Sequence, residues 1–336
     1  MSTLSQEVRL ASRPVGWPTL ENFKLTRIEL PSLQNGQVLV RNSYMSVDPY
    51  MRGRMNDAPS YVPPFQVGQA LEGGAVGEVI ESNESALQRG DVVTSNHGWR
   101  ELFIATPEEL QRVEHPVQPV SLYLGALGMT GLTAWAGLRL VDVKKGDCVF
   151  ISAAAGAVGS VAGQLAKLRG CRVIGSVGSS EKVKLLTEEL GFDAAFNYRD
   201  GDSAAQLKKA APDGIDVYFD LVGGEQLEAA LSAMRMHGRI IACGAISQYN
   251  DDKAPQGPRN LALMIGKRLT MKGMLAGDWL GSLAEFRKEV GGNVLEGKIK
   301  SKETVREGLA VAPQAFLDMM RGGNIGKMIV KLGAAQ

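Results

Sequence analysis

The segment from Asp147 to Gly170 limits what this chain can fold into more than any other. Val149, Phe150 and Ile151 form a short apolar run of the kind required by a strand buried on both faces. After Gly156, apolar residues return at helical spacing through Val158, Ala162, Leu165 and Leu168, and Gly170 is placed to end that helix in a left-handed turn. Between strand and helix lies Ala154-x-Gly156-x-x-Gly159, a dinucleotide fingerprint with Ala in its first position. Gly156 lets the backbone approach a pyrophosphate, Gly159 lets the helix pack closely, and the unpaired N–H groups of the helix start, at Ala157 and Val158, hold the anion. A glycine-rich turn alone says little; its place between a strand and a helix gives it meaning.

The surroundings supply that context. From about Leu122 to Gly297 short apolar strands alternate with helical stretches, the pattern of a parallel sheet covered on both faces. Residues 1 to about 120 instead carry β-like runs, Val38 to Asn42, Ala75 to Glu81 and Asp91 to Ser95, between Pro and Gly clusters. From Lys298 onward a helix and a last strand, Met328 to Leu332, are expected. A length of 336 residues favours two structural units.

The strand after the glycine turn, Cys171 to Val177, indicates which dinucleotide fits. An acid usually follows this strand to bind the ribose 2′-hydroxyl of NAD. Here Gly178-Ser179-Ser180-Glu181-Lys182 follows. Gly178 and Ser179 leave room for a 2′-phosphate and Lys182 would neutralise it, which favours NADPH; the alternative for Lys182 is a solvated surface lysine. Glu181 is read as complementing its own helix N-terminus.

Composition removes other classes. With 37 basic and 36 acidic residues there is no electrostatic case for nucleic acid or an anionic membrane, and a small neutral substrate fits better. No stretch reaches the roughly twenty apolar residues of a membrane helix, and the start of the chain lacks a secretory apolar segment, so the cytoplasm is the expected compartment. Cys148, Cys171 and Cys243 each fall in an apolar run read as strand, hence as buried thiols. His97, His115 and His237 show no paired ligand spacing, so no metal is expected.

Several further strings recur in order: SVDPYMRGRM (46–55), LGMTGLTA (127–134), FNYR (196–199), CGAISQYN (243–250) and GNIGK (323–327). With the glycine turn they make the chain resemble the zinc-independent medium-chain dehydrogenase/reductases, and within them the double-bond reductases that include prostaglandin, alkenal and curcumin reductases. The resemblance implies a mostly β GroES-like substrate domain from residues 1–121 and 298–336, and a Rossmann domain, a doubly wound parallel sheet, at 122–297; the fold class is α/β. Zinc-dependent relatives carry Gly-His-Glu where this chain has GQALEG (68–73), which agrees with the metal-free reading. Departures from the family pattern are Thr130 in place of Pro and Leu221 in place of Asn.

That resemblance implies the reaction and its residues. Reducing an activated C=C bond takes a hydride at the β carbon and a hydrogen-bond donor at the carbonyl oxygen, a role a phenol fills. Tyr249 is the candidate donor or proton source, with Tyr50 and Tyr61 shaping the pocket; the alternative for each is a packed tyrosine with a satisfied hydroxyl. Resemblance adds Tyr198 beside Lys182 at the 2′-phosphate, Ser247 near the dinucleotide, and Asn324 near the nicotinamide or in a plain turn. Thr130 and Thr133 would contact the cofactor or cap the following helix. The substrate class is small enones and enals. A quinone reductase is the alternative enzyme, and a nucleotide-binding protein without turnover the alternative of another class. A homodimer is expected, joined at the exposed edge strand near Leu269 to Leu275. The Pro-containing loops Met55 to Phe65 and Asp251 to Arg259, which set pocket shape, have no readable conformation.

Overall fold

In the computed structural model, which describes residues 3–253 and 256–333, the alternating region forms a six-stranded sheet. Its strands are β1 (Cys148–Ile151), β2 (Arg172–Val177), β3 (Ala194–Asn197), β4 (Ile215–Asp220), β5 (Met234–Ala242) and β6 (Thr270–Gly273). They lie in the order β3-β2-β1-β4-β5-β6, and all neighbours are parallel. The order reverses between β1 and β4, which is the switch point where such sheets take nucleotides beyond their strand ends.

β1 is buried along its whole length because both faces of the sheet are covered. On one face Phe150 stacks on Phe196 and Tyr218, at 5.8 and 5.0 Å between ring centroids, under Leu207, Ala229 and Ala230 from two helices. Tyr218 and Phe219 point to opposite faces, as strand geometry requires. On the second face Gly137, in the helix Met129–Leu140, lies against Phe219; a Cβ there would sit 2.6 Å from the ring. Each large apolar side chain buried in this way contributes about 1.5–3 kcal/mol relative to exposure.

The chain divides into two units. One comprises Gly125–Lys302 with Ile325–Lys327; the other comprises the residues up to Leu124, Glu303–Asn324 and those from Met328 onward. Ile325–Lys327 belongs with the six-stranded sheet because Gly326 N–H donates to the Ala155 carbonyl at 2.7 Å, pairing Gly326 with Gly156. The other unit is built around Val38–Ser46, which runs antiparallel to Ala75–Ser82, to Leu102–Ala105 and to Lys327–Lys331. Thr3–Leu10 and Phe23–Leu30 form a separate antiparallel pair.

Three details differ from the sequence reading. Glu303–Glu307 is a strand at a sheet edge, unforeseen because its single large apolar residue, Val305, is largely exposed and gives no alternation. Cys171 and Cys243 stand one residue outside β2 and β5 respectively. They are free thiols, as is Cys148, and burial pushes Cys171 up to about 11 and Cys243 up to about 12. Positions 254 and 255 of the Asp251 to Arg259 loop lie outside the described residues.

Candidate active site

The turn after β1 is set by contacts that exclude side chains. Ala153 is left-handed at φ 47°, a conformation costly for any residue but glycine. Gly156 is the N-cap of the helix Ala157–Leu168, and no side chain caps that end, so the first-turn N–H groups at Ala157, Val158 and Gly159 lack helical acceptors. A Cβ on Gly159 would meet the Ala153 carbonyl oxygen at 2.7 Å and the Ala154 Cα at 2.8 Å. Ala154 is fully buried, and its methyl in turn requires Gly175 on β2, where an added Cβ would lie 2.8 Å away. Gly175 went unread in the sequence; its lone place inside an apolar strand was the available signal.

Beyond β2 the residues named for a 2′-phosphate come together. Ser179 caps the helix Ser180–Lys184, its Oγ accepting the Lys182 N–H at 3.3 Å. Tyr198 follows β3 directly, and its Oη lies 3.1 Å from where a Cβ on Gly178 would be. Any side chain at position 178 would therefore press on the phenol. The Lys182 ammonium is held below its usual range, first by burial and then by the nearby Arg199 guanidinium. The end of β2 thus sets a phenol against open backbone, with the cation Lys182 in the helix that follows, a donor set compatible with a phosphate ester.

At the switch point, β4 ends in a buried carboxylate. Asp220 Oδ1 accepts Tyr218 O–H at 2.8 Å and the N–H groups of Val222 and Gly223 at 3.0 and 2.8 Å. Its backbone carbonyl accepts Cys243 and Gly244 N–H, and Tyr218 O–H also reaches Ser152 Oγ on β1's end. Burial raises the Asp220 carboxyl above its ordinary value despite these donors. One residue thus ties the 221–224 turn, with Gly223 and Gly224 both at positive φ, to the loop that carries Ser247 and Tyr249. Ser247 completes the tie by donating from Oγ to the Val222 carbonyl at 2.6 Å. Tyr249 is half-buried, its Oη accepts Ala245 N–H at 3.3 Å, and burial raises its hydroxyl above the usual phenol value. Asp220 was not singled out in the sequence, since nothing local shows that a carboxylate will turn inward.

Thr130 and Thr133 correct one expectation. Gly128, not a threonine, is the N-cap of Met129–Leu140; Thr130 donates to the Gly125 carbonyl and Thr133 back to Met129, at 2.9 and 2.7 Å. Both hydroxyls find a carbonyl within the local chain before any cap is needed.

In the other unit Tyr50 opens the helix Tyr50–Arg54 and Tyr61 stands 62% exposed on the following loop. Burial raises the Tyr50 hydroxyl, nearby Asp48 adds to this, and Arg54 donates a hydrogen bond to it. Arg54 also donates to the Pro63 carbonyl at 2.9 Å and to Glu72 Oε2 at 2.7 Å, and stacks 4.0 Å from the Phe65 ring centroid. It fastens both ends of the loop that bears Tyr61, a role only long-range contacts reveal. Asn324 lies half-exposed in the turn after the helix Ala312–Met320. Among the described residues no group of three or more His, Cys, Asp and Glu side chains is placed to hold a metal ion.

Comparison with known proteins bears on this geometry. Residues 6–113 match the family model for the N-terminal domain of oxidoreductases, and residues 157–290 the model named for zinc-binding dehydrogenases. The chain is 42% identical to the NADPH-dependent curcumin reductase of Escherichia coli, over 96% of this chain and 95% of that one. It is also 42% identical to the NADP(+)-dependent 2-alkenal reductase of Nicotiana tabacum, over 97% of both. The crystal structure of CurA from Vibrio vulnificus in complex with NADPH superposes with a TM-score of 0.93 at 40% identity, covering 98% of this chain and all of that one.

Proposed function

Since this chain belongs to the zinc-independent double-bond reductases of the medium-chain dehydrogenase/reductase family, we propose that it reduces the C=C bond of α,β-unsaturated ketones and aldehydes with NADPH. The observation that carries this reading is full-length kinship to two enone and enal reductases, in a chain whose Tyr198 phenol lies against Gly178. In this reading the Rossmann unit holds the dinucleotide and the other unit is the GroES-like substrate domain.

The pyrophosphate rests on the N–H groups of Ala157, Val158 and Gly159, with Ala154 and Gly156 leaving room for its approach. Gly178, Ser179, Lys182 and Tyr198 take the 2′-phosphate, while Ser247, Thr130, Thr133 and Asn324 serve the rest of the cofactor. NADPH supplies the hydride that ends on the substrate's β carbon. Tyr249 donates its O–H to the carbonyl oxygen as enolate charge develops there, which is where a fixed donor lowers the barrier most. A proton from water then reaches the α carbon, giving the saturated ketone or aldehyde and NADP⁺. Tyr50 and Tyr61 bound the substrate.

β6 is an edge strand with Thr270, Lys272 and Gly273 exposed, and pairing it with a second copy gives the homodimer we infer. The cytoplasm is the compartment we infer, from three cysteines kept as free thiols. The test is NADPH oxidation over a panel of enones, enals and quinones with product identification. Saturated ketone or aldehyde is expected. Hydroquinone as sole product would replace the proposal with quinone reduction, and NADPH binding without any turnover would replace it with a non-catalytic role.

A further inference from the structure

Lys182 and Arg199 come from different elements, one in the helix after β2 and one in the turn after β3, and the guanidinium is near enough to disfavour the charged ammonium. The Arg199 guanidinium carbon lies 5.7 Å from the Tyr198 ring centroid, and Tyr198 Oη faces Gly178. Like charges repel unless an anion lies between them. Two acids adjoin the pair along the chain: Glu181, next to Lys182, acts on the ammonium less than Arg199 does, and Asp200, next to Arg199, is engaged elsewhere, its Oδ1 accepting Asn197 Nδ2–H at 2.7 Å. Asn197 Oδ1 meanwhile accepts the Arg199 backbone N–H at 3.2 Å, which fixes where the arginine starts. Among the described residues Arg199 forms no ion pair with a carboxylate.

We propose that Arg199 is a second cation of the 2′-phosphate site and sets how strongly the chain prefers NADPH to NADH. The inference rests on the NADPH reading above and extends it to a residue that the sequence motif contains but leaves without a role. A phosphate monoester carries close to two negative charges at neutral pH, so one ammonium leaves it half-neutralised. Arg199 supplies the second charge, in a planar fork suited to phosphate oxygens.

The test compares Arg199→Ala, Arg199→Lys and Lys182→Ala with the parent, by calorimetric titration of NADPH, NADH and 2′,5′-ADP. Arg199→Ala is expected to weaken NADPH and 2′,5′-ADP about tenfold and leave NADH within twofold, with Arg199→Lys between it and the parent. The salt dependence of NADPH binding should become shallower in Arg199→Ala. Equal losses for NADPH and NADH, or no loss for either, would overturn the assignment. The Lys182→Ala arm separates the two readings. If it discriminates between the nucleotides and Arg199→Ala does not, only Arg199 loses its role; if neither does, the 2′-phosphate site itself is misplaced.

Discussion

The phenol oxygen of Tyr249 accepts the backbone N–H of Ala245, four residues earlier, at 3.3 Å. The loop thus aims its own hydroxyl and leaves the O–H to donate elsewhere. Tyr249→Phe keeps the ring and removes that donor. Turnover of an enone is expected to fall about tenfold to a hundredfold while the NADPH dissociation constant stays within twofold. Single-turnover rates and a fluorescence titration check both halves, and an unchanged rate would move the donor role to Tyr61 or Tyr50.

Because burial raises the Tyr249 hydroxyl above its ordinary value, the neutral donor persists further into the alkaline range than an ordinary phenol does. Enone reduction at saturating NADPH should therefore show no loss attributable to this group up to about pH 9. A fall with a midpoint near 9 that disappears in Tyr249→Phe would contradict this.

Asp220 carries the two loops at the switch point. Asp220→Ala strands the N–H groups of Val222 and Gly223, at about 1–3 kcal/mol for each buried group left unpaired, while the Tyr218 hydroxyl keeps Ser152 Oγ. A marked drop in Tm is expected, with weaker NADPH binding. Asp220→Asn keeps an accepting oxygen and should lose much less. Since burial raises this carboxyl in the folded state above its ordinary 3.8, the folded chain holds the proton more tightly than the unfolded one. Its contribution to stability is fully present below about pH 3.8 and is lost as pH rises through the folded value. The stability of the parent relative to Asp220→Asn should accordingly decline from pH 3.8 upward, measured by denaturant unfolding; a rise would mean the carboxylate is the favoured form.

Gly159→Ala places a methyl 2.7 Å from the Ala153 carbonyl, and backbone must move to admit it. The expected cost is about 1–3 kcal/mol, with a weakened grip on the pyrophosphate. Ala153→Gly acts oppositely on the same turn by accepting φ 47° without strain, so Tm should hold or rise slightly. Thermal unfolding with and without NADPH reads both.

Although one matching family model is named for zinc binding, prolonged dialysis against a strong chelator should leave NADPH-dependent enone reduction intact. Activity lost in chelator and restored by zinc would reverse the metal-free assignment.

Much of the nucleotide-binding unit was legible because its signals are local. Val149, Phe150 and Ile151 form the strand their apolar run suggests, within Cys148–Ile151, and Gly170 ends its helix at φ 79°. What escaped was set by partners distant in sequence. Arg54 reaches Glu72 and Asp220 reaches Tyr218 and the 222–223 amides, but a charged residue in a string does not announce which way it will turn. The hydroxyls of Thr130 and Thr133 were readable as polar, yet local carbonyls claimed them. The strand Glu303–Glu307 was hidden because an edge strand needs no apolar alternation.

Val38–Ser46 is central to its sheet, yet one of its flanking strands, Lys327–Lys331, pairs Ile329 with Ser46 from the far end of the chain. On the ribosome, Ser46 emerges before any of the nucleotide-binding unit and Ile329 only after all six of that unit's strands. The Rossmann unit can close while the earlier sheet still shows an open flank. During that interval the unpaired stretch Tyr44–Ser46 is a place where a nascent chain can pair with another, since Leu102–Ala105 already covers Val38–Arg41. A stop codon just before Lys327 would make the exposure permanent, turning the loss of a late-encoded strand into a defect in a sheet begun at Val38.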